Sequence, residues 1–308
     1  MIYLFIILVG IIVIIIILSL LLVIKVQFRS KNDGSDERRL QPAISSTDYF
    51  FKEKTWFRNV PKEVWHLISE DGIKLQATFI NHNSTKTAIL AHGYRQDGDQ
   101  NGKVAALFYN MEYNILMPDD RGHGNSHGRY IGFGWQDRKD YLSWITQVIN
   151  QLGSNQSIIL WGVSMGGATV LMTSGDLNLP TQVKGVIADC GFTSLEAELK
   201  FQFSLRQIPS FPVLNIASFL SKVLIGYSYP EASSMTQLSN NKLPILFIHG
   251  AKDKFVPFSM LNEVINSNAG TSQWLVVSNA THANAFRTDP IAYTSAVRKF
   301  LFNINMLK

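Results

Sequence analysis

Residues Ser157–Val163 form an unbroken run, Ser-Ile-Ile-Leu-Trp-Gly-Val, that passes directly into Ser164-Met165-Gly166-Gly167-Ala168. A short apolar run that meets a small-residue helix start without a spacer requires a buried strand turning sharply into a helix. A bend that tight leaves no room for bulk two residues to either side of its tip. Gly162 and Gly166 supply that room, and the spacing is Gly-x-Ser-x-Gly. The helix beginning there turns its amino terminus toward any charge that develops at the tip. Ser164 is therefore the candidate nucleophile and Gly162 and Gly166 its elbow. The competing reading is a serine that caps the helix beside two packing glycines.

Around this bend, Val/Ile/Leu-rich runs alternate with longer segments of helical spacing. Glu63–Ser69 and Ile73–Ile80 alternate apolar with polar residues and meet across Glu70-Asp71-Gly72, the pattern of a hairpin. Thr87–Ala91, Asn114–Pro118, Val183–Ala188, Pro244–His249 and Trp274–Val277 are further short strands. Lys103–Tyr113, Trp135–Leu152 and Pro290–Phe302 read as helices. The pattern predicts an α/β fold, a mostly parallel eight-stranded sheet with helices on both faces. Ligands bind such sheets beyond the carboxyl ends of the strands, so the chemistry belongs to residues that follow each strand.

A serine hydroxyl needs a base, and the base needs an orienting partner. Of the seven histidines, only His282 lies just past the last strand and completes the chain order serine, acid, histidine. Asp253, in the loop after Pro244–His249, is the candidate acid. Asp189 competes for that role from the end of Val183–Ala188, and a turn-capping aspartate is the plainer reading of Asp253. Two backbone amides should face the oxyanion. Met165 follows the nucleophile, and Tyr94 follows His92-Gly93 after the Thr87–Ala91 strand. Asp119–Ser126 reads as a structural turn with Arg121 paired to a carboxylate. His123 and His127 stand four apart, but no helix aligns them and no HExxH glutamate accompanies them, so no metal site is expected. The chemistry requires no cofactor.

The amino terminus is different in kind. Ile2–Ile24 carries no charged side chain. At 1.5 Å per residue it spans a hydrocarbon core of about 30 Å, and it lacks the basic leader and cleavage site of a signal peptide. The expected organisation is an anchor at 1–24, a polar juxtamembrane tether at 25–47 and a catalytic domain at 48–308. The net charge of +5 includes Lys25, Arg29, Lys31, Arg38 and Arg39, diluted by Asp33, Asp36 and Glu37. No base-reading motif accompanies that charge, so nucleic acid is not an expected partner, whereas lipid headgroups are. The positive flank after the span favours a cytoplasmic domain, although long domains override that bias. A glycan at the Asn279 sequon would crowd His282, which argues weakly against a glycosylating compartment. Cys190 is the sole cysteine, so no internal disulfide forms.

Several motifs together resemble the α/β-hydrolase superfamily: His92-Gly93-Tyr94, Asp120–Ser126, Gly162–Gly166, Asp189–Ser194, His249–Asp253 and Thr281-His282. Within it the chain is similar to bacterial membrane-anchored or cell-surface serine hydrolases of the Bem46-like and serine-aminopeptidase-like groups. The resemblance implies a small helical lid after the sixth strand, here about 195–241, and a Ser-His-Asp triad acting through an acyl-enzyme. The resemblance is poorly specific for substrate, but the Phe, Leu and Ile content of the lid suggests an acyl-lined pocket, so a small-molecule or lipid-like ester is the expected substrate and a bacterial cell membrane the expected location. Peptidase or acyltransferase activity uses the same triad, and a non-catalytic scaffold is the remaining alternative. Oligomeric state is not legible.

Overall fold

The computed structural model describes residues 1–29 and 44–307; most of the expected tether and Lys308 lie outside the described residues. Helix α1 (Ile2–Gln27) is long and apolar enough to cross a membrane. It continues through Lys25 and Val26, and Phe28 then pairs with Tyr130 while the Arg29 amide donates to the Arg129 carbonyl at 2.9 Å. Gln27 anchors this end, donating through Nε2 to Ser221 Oγ at 3.0 Å and to the Tyr227 hydroxyl at 2.9 Å. A polar side chain at the close of an apolar helix is stable when buried only with such partners.

Helix α2 (Phe51–Asn59) precedes the hairpin of β1 (Glu63–Ile68) and β2 (Lys74–Ile80). Its turn closes with the Ser69 amide on the Ile73 carbonyl at 2.9 Å, and Gly72 takes the φ of +84° that a side chain would resist. The alternation then runs β3 (Lys86–Ala91), α3 (Gly102–Tyr109), β4 (Asn114–Pro118), α4 (Asp137–Leu152), β5 (Ser157–Val163), α5 (Met165–Ser174) and β6 (Val183–Asp189). Three helices follow in the expected lid region, α6 (Leu195–Leu205), α7 (Val213–Ile225) and α8 (Ser234–Leu238). The chain ends with β7 (Ile245–Gly250), α9 (Ser259–Ser267), β8 (Ser272–Val277), α10 (Ala285–Thr288) and α11 (Pro290–Asn303).

The eight strands form one sheet in the order β1-β2-β4-β3-β5-β6-β7-β8. β2 is antiparallel to both β1 and β4, and the remaining pairs are parallel. Strand order across the sheet reverses between β3 and β5, the switch point where open α/β sheets hold ligands. Register there brings Ala91 beside Gly162 and Val163 beside Asp189, so the loops after β3, β5 and β6 emerge together. One face of the sheet packs on α3 and α11 through Phe108, Tyr113, Val297 and Phe300; the other packs on α4 and α5 through Tyr141, Trp144, Val148 and Leu171. A third cluster beneath the lid includes Phe133, Phe192, Leu195, Leu214, Tyr227 and, from the apolar amino-terminal helix, Val23.

The expected strands and long helices are present. Three helices absent from the sequence reading are α2, α9 and the single-turn α10. Four of the nine residues of α2 are charged and its apolar residues are Phe51, Trp56 and Phe57; Phe57 lies over Gly102, where any Cβ would strike its ring. α9 buries Met260, Leu261 and Val264 within nine residues, too short a window for periodicity to declare itself.

Candidate active site

Ser164 occupies the tip of the β5–α5 bend with φ +57° and ψ −118°, a conformation that costs a non-glycine residue on the order of 1–3 kcal/mol. The flanking glycines are required by contact. A Cβ on Gly162 would collide with the Gly166 carbonyl, and one on Gly166 with the carbonyls of Ala91 and His92. The bend is thus packed against itself and the neighbouring strand. Ser164 begins α5, yet its side chain caps nothing. Its Oγ lies 2.8 Å from His282 Nε2.

His282 Nδ1 lies 2.8 Å from Asp253 Oδ2. Because the carboxylate can only accept, Nδ1 carries the proton, and Nε2 is left to accept from the serine hydroxyl. Asp253 Oδ1 accepts from the amides of Phe255 and Val256 at 2.8 and 3.0 Å. The turn-capping reading of Asp253 and the histidine-orienting one therefore describe the two oxygens of one group. The Asp253 side chain is fully buried and His282 retains partial exposure. Asp189 is buried beside the bend, and burial pushes its carboxyl up to about 6. It receives the Ser164 amide on its backbone carbonyl at 2.8 Å, while the imidazole of His282 turns to Asp253.

Tyr94 and Met165 both line the cavity that holds Ser164. Among the described residues neither amide N–H is donated to a protein acceptor. The loop bearing Tyr94 is held by His92, whose Nδ1 lies 2.8 Å from the Gly93 carbonyl and whose Nε2 accepts from the Asp120 amide at 2.9 Å. His123 Nε2 accepts from the Arg95 amide at 3.1 Å. Both rings are thus engaged in fixing loop backbone. Arg121 binds Asp140 through Nε and Nη2 at 2.8 and 2.7 Å and reaches Asp71 through Nη1 at 2.7 Å, the carboxylate pairing its sequence context predicts.

The cavity has a volume of about 440 Å³, with Phe133, Phe192, Leu195, Leu199 and Phe255 among its walls. A larger depression of about 830 Å³ lies against α2, α3 and α11 and includes none of the three triad candidates. Cys190, Asp253 and His282 bring potential ligand atoms within 4.8 Å of one another. Burial, reinforced by the nearby carboxylates, holds the Cys190 thiol well above its usual range, and the other two groups are bonded to each other, so this trio is poorly suited to a cation.

Two contributors were missed in the sequence. Glu198 on α6 lines the cavity; Oε1 accepts from Gln202 Nε2 at 2.9 Å, Oε2 has no partner, and burial pushes its carboxyl up to about 8. Its signal was available: Leu195, Glu198, Leu199 and Gln202 fall on one helical stripe, so a carboxylate stands where an apolar residue is expected. Leu22 and Val26 of α1 also line the cavity, which an anchor linked by a loose tether did not suggest.

An eight-stranded sheet of this order, with a strained serine at its switch point and helices over its carboxyl edge, defines an α/β-hydrolase. The chain is a serine hydrolase of this fold. The serine aminopeptidase S33 family matches residues 82–242, and the chain belongs to that family. It is 28% identical over 225 residues to the uncharacterized protein YqkD of Bacillus subtilis, covering 73% of each chain. An uncharacterized membrane protein of Saccharomyces cerevisiae is 29% identical over 203 residues, covering 65% of this chain and 66% of the yeast protein. Among solved structures, the Pyrococcus furiosus esterase Pf2001 superposes with a TM-score of 0.66 at 20% identity, over 85% of this chain and 97% of that one.

Proposed function

We propose that the protein hydrolyses carboxylic esters through an acyl-enzyme, with Ser164 as nucleophile, His282 as general base and then acid, and Asp253 as the group that orients and stabilises the imidazolium. The observation that carries this reading is the continuous chain Ser164 Oγ, His282, Asp253 Oδ2, with both links at 2.8 Å, ending inside an apolar cavity. His282 takes the hydroxyl proton as Oγ attacks the carbonyl carbon. The amides of Tyr94 and Met165 receive the oxyanion, and α5 adds the field of its amino terminus. Collapse expels the alcohol, protonated by His282, and water then releases the acid by the same steps in reverse order. No metal or organic cofactor takes part.

One observation favours a second reading. Glu198 is a carboxyl in the cavity with an unpartnered oxygen; burial makes it keep its proton, and a substrate α-ammonium would favour the ionised form and supply that partner, as an aminopeptidase requires. Acyl p-nitrophenyl esters against aminoacyl anilides separate the two, and Glu198→Gln should cripple only the second. The protein would act at a membrane through the apolar amino-terminal helix, a bacterial cell membrane on the resemblance above, with Lys25 and Arg29 favouring a cytoplasmic domain.

The decisive variant is Ser164→Ala. It should lose fluorophosphonate labelling and lower p-nitrophenyl butyrate hydrolysis by about 10⁴-fold or more, with thermal unfolding unimpaired. Either signal persisting in folded variant overturns the assignment.

A further inference from the structure

We propose that the cleft is fed from the bilayer: the substrate is an acyl ester of a membrane glycerolipid, and α7 lies within the same leaflet as the upper part of α1. The inference rests on Ser164 as nucleophile and on α1 as a membrane span.

The first observation is how α1 meets the lid. Ser19 Oγ donates to the Val213 carbonyl at 3.0 Å, and Gln27 Nε2 donates to Ser221 Oγ at 3.0 Å; both pairs are 194 positions apart. Equal offsets eight residues apart mean that the two helices lie side by side and run in the same direction. Lys25 is the first charged residue of α1, so the edge of the hydrocarbon lies near it. Ser19, six residues earlier, is about 9 Å deeper at 1.5 Å per residue. Val213 is held at that level, so the amino-terminal half of α7 dips below the membrane surface whenever α1 spans it.

The composition of α7 fits that depth. Residues 207–221 carry no charged side chain, and Arg206 and Lys222 flank them. Phe211, Phe219 and Val223 face outward at 75%, 66% and 63% exposure, and Leu205 and Ile208 are exposed just before them. Asn215 and, toward the surface end, Lys222 are the exposed polar residues of that face. Water would leave such a patch uncovered at considerable cost. The bilayer that holds α1 covers it.

The second observation is the cavity itself. Leu22 and Val26 of α1 line it together with Phe203 and Ile208 of the lid and with Ser164. An acyl chain passing between the span and the lid therefore meets apolar side chains up to the nucleophile. Lys25, Arg95 and Arg206, all exposed, line the same cavity and put positive charge where an anionic headgroup would remain. The Tyr94 hydroxyl donates to the Val26 carbonyl at 2.8 Å, so the loop that carries one oxyanion amide is fastened to the span. The reaction breaks the ester C–O bond, joins the acyl group to Ser164 Oγ and gives the proton from His282 to the departing lysolipid; water then releases the fatty acid.

The test uses the full chain in vesicles of phosphatidylcholine and phosphatidylglycerol. Cys190 is buried, so Phe219→Cys offers the accessible thiol for an environment-sensitive fluorophore, with Leu177→Cys as the exposed control. The label at 219 should be quenched by nitroxides on lipid acyl chains, and the label at 177 by aqueous iodide alone. A combined Phe211→Ser, Phe219→Ser and Val223→Ser variant should lose at least tenfold in hydrolysis of vesicle phosphatidylglycerol while its kcat/KM for p-nitrophenyl butyrate stays within twofold. The proposal is overturned if the 219 label answers only to iodide, if the combined variant cleaves vesicle lipid like the parent, or if the parent cleaves butyrate and no diacyl lipid. Bilayer quenching at 219 without butyrate hydrolysis or fluorophosphonate labelling would overturn the esterase reading, and the lipid substrate with it, while leaving the immersed helix.

Discussion

Two glycine-rich turns leave the strands on either side of β3, and they put the same kind of residue to opposite uses. The turn after β4 has its polar groups bonded to protein partners within it and packed beside it. Asp119 accepts from the amides of Gly98 and Asn125 at 2.9 and 2.7 Å, Ser126 Oγ donates to the Asp119 carbonyl, and Arg121 is clamped between Asp71 and Asp140. The bend after β5 leaves its hydroxyl reaching across to another loop and its following amide undonated within the described residues. Glycine serves compactness in both. What separates a structural turn from a reactive one is where the polar groups look for partners, because a group already bonded at home has nothing left for a substrate.

The comparison is broken most severely through the acid. Asp253→Asn keeps an oxygen able to accept from the Phe255 and Val256 amides but misorients the imidazole, so kcat/KM for p-nitrophenyl butyrate should fall by about 10⁴-fold with little change in melting temperature. Arg121→Met does the reverse. It strands the buried Asp140 carboxylate and should cost about 3–5 kcal/mol in urea unfolding, with activity per folded molecule unchanged. Loss of turnover without loss of stability in that variant would give the turn after β4 a chemical role. Gly124→Ala follows: at φ +48° with its Cβ driven into the Asp119 carboxylate, it should destabilise by about 1–3 kcal/mol in the same assay.

The smallest effect is a slope. Burial pushes the Asp120 carboxyl up to about 8, despite the hydrogen bond it receives from Tyr141. A folded-state value above the unfolded one means that the native protein holds its proton more tightly. The stabilisation is therefore full at low pH and is lost as pH rises toward 8. Melting temperature should drop between pH 6.5 and 8, by on the order of 1 kcal/mol of stability for this group, and Asp120→Asn should flatten that drop.

Much of this was legible in the sequence because the signals were local. The run of Ser157 through Ala168 specifies strand, bend and helix in consecutive residues, and chain order then ranks the histidines. Asp253 over Asp189 was harder: each follows a strand, and only the three-dimensional reach of His282 separates them. The charged α2 and the short α9 escaped because neither carries a long apolar period. Glu198 was readable as a carboxyl on an apolar stripe, but its opening into the cavity depends on how α6 sits beside the Ser164 bend. The docking of α1 was illegible, since Ser19 and Gln27 find partners nearly two hundred positions downstream, and no window of sequence contains both.

The backbone of Ser164 carries one more implication. A left-handed bend of this kind suits glycine far better than serine, so the substitution Ser164→Gly would relax the chain and let it outlast the active protein on heating. Durability and turnover therefore pull this position in opposite directions. A lineage screened only for persistence would erase the hydroxyl first; under the proposed mechanism, turnover is what would keep it.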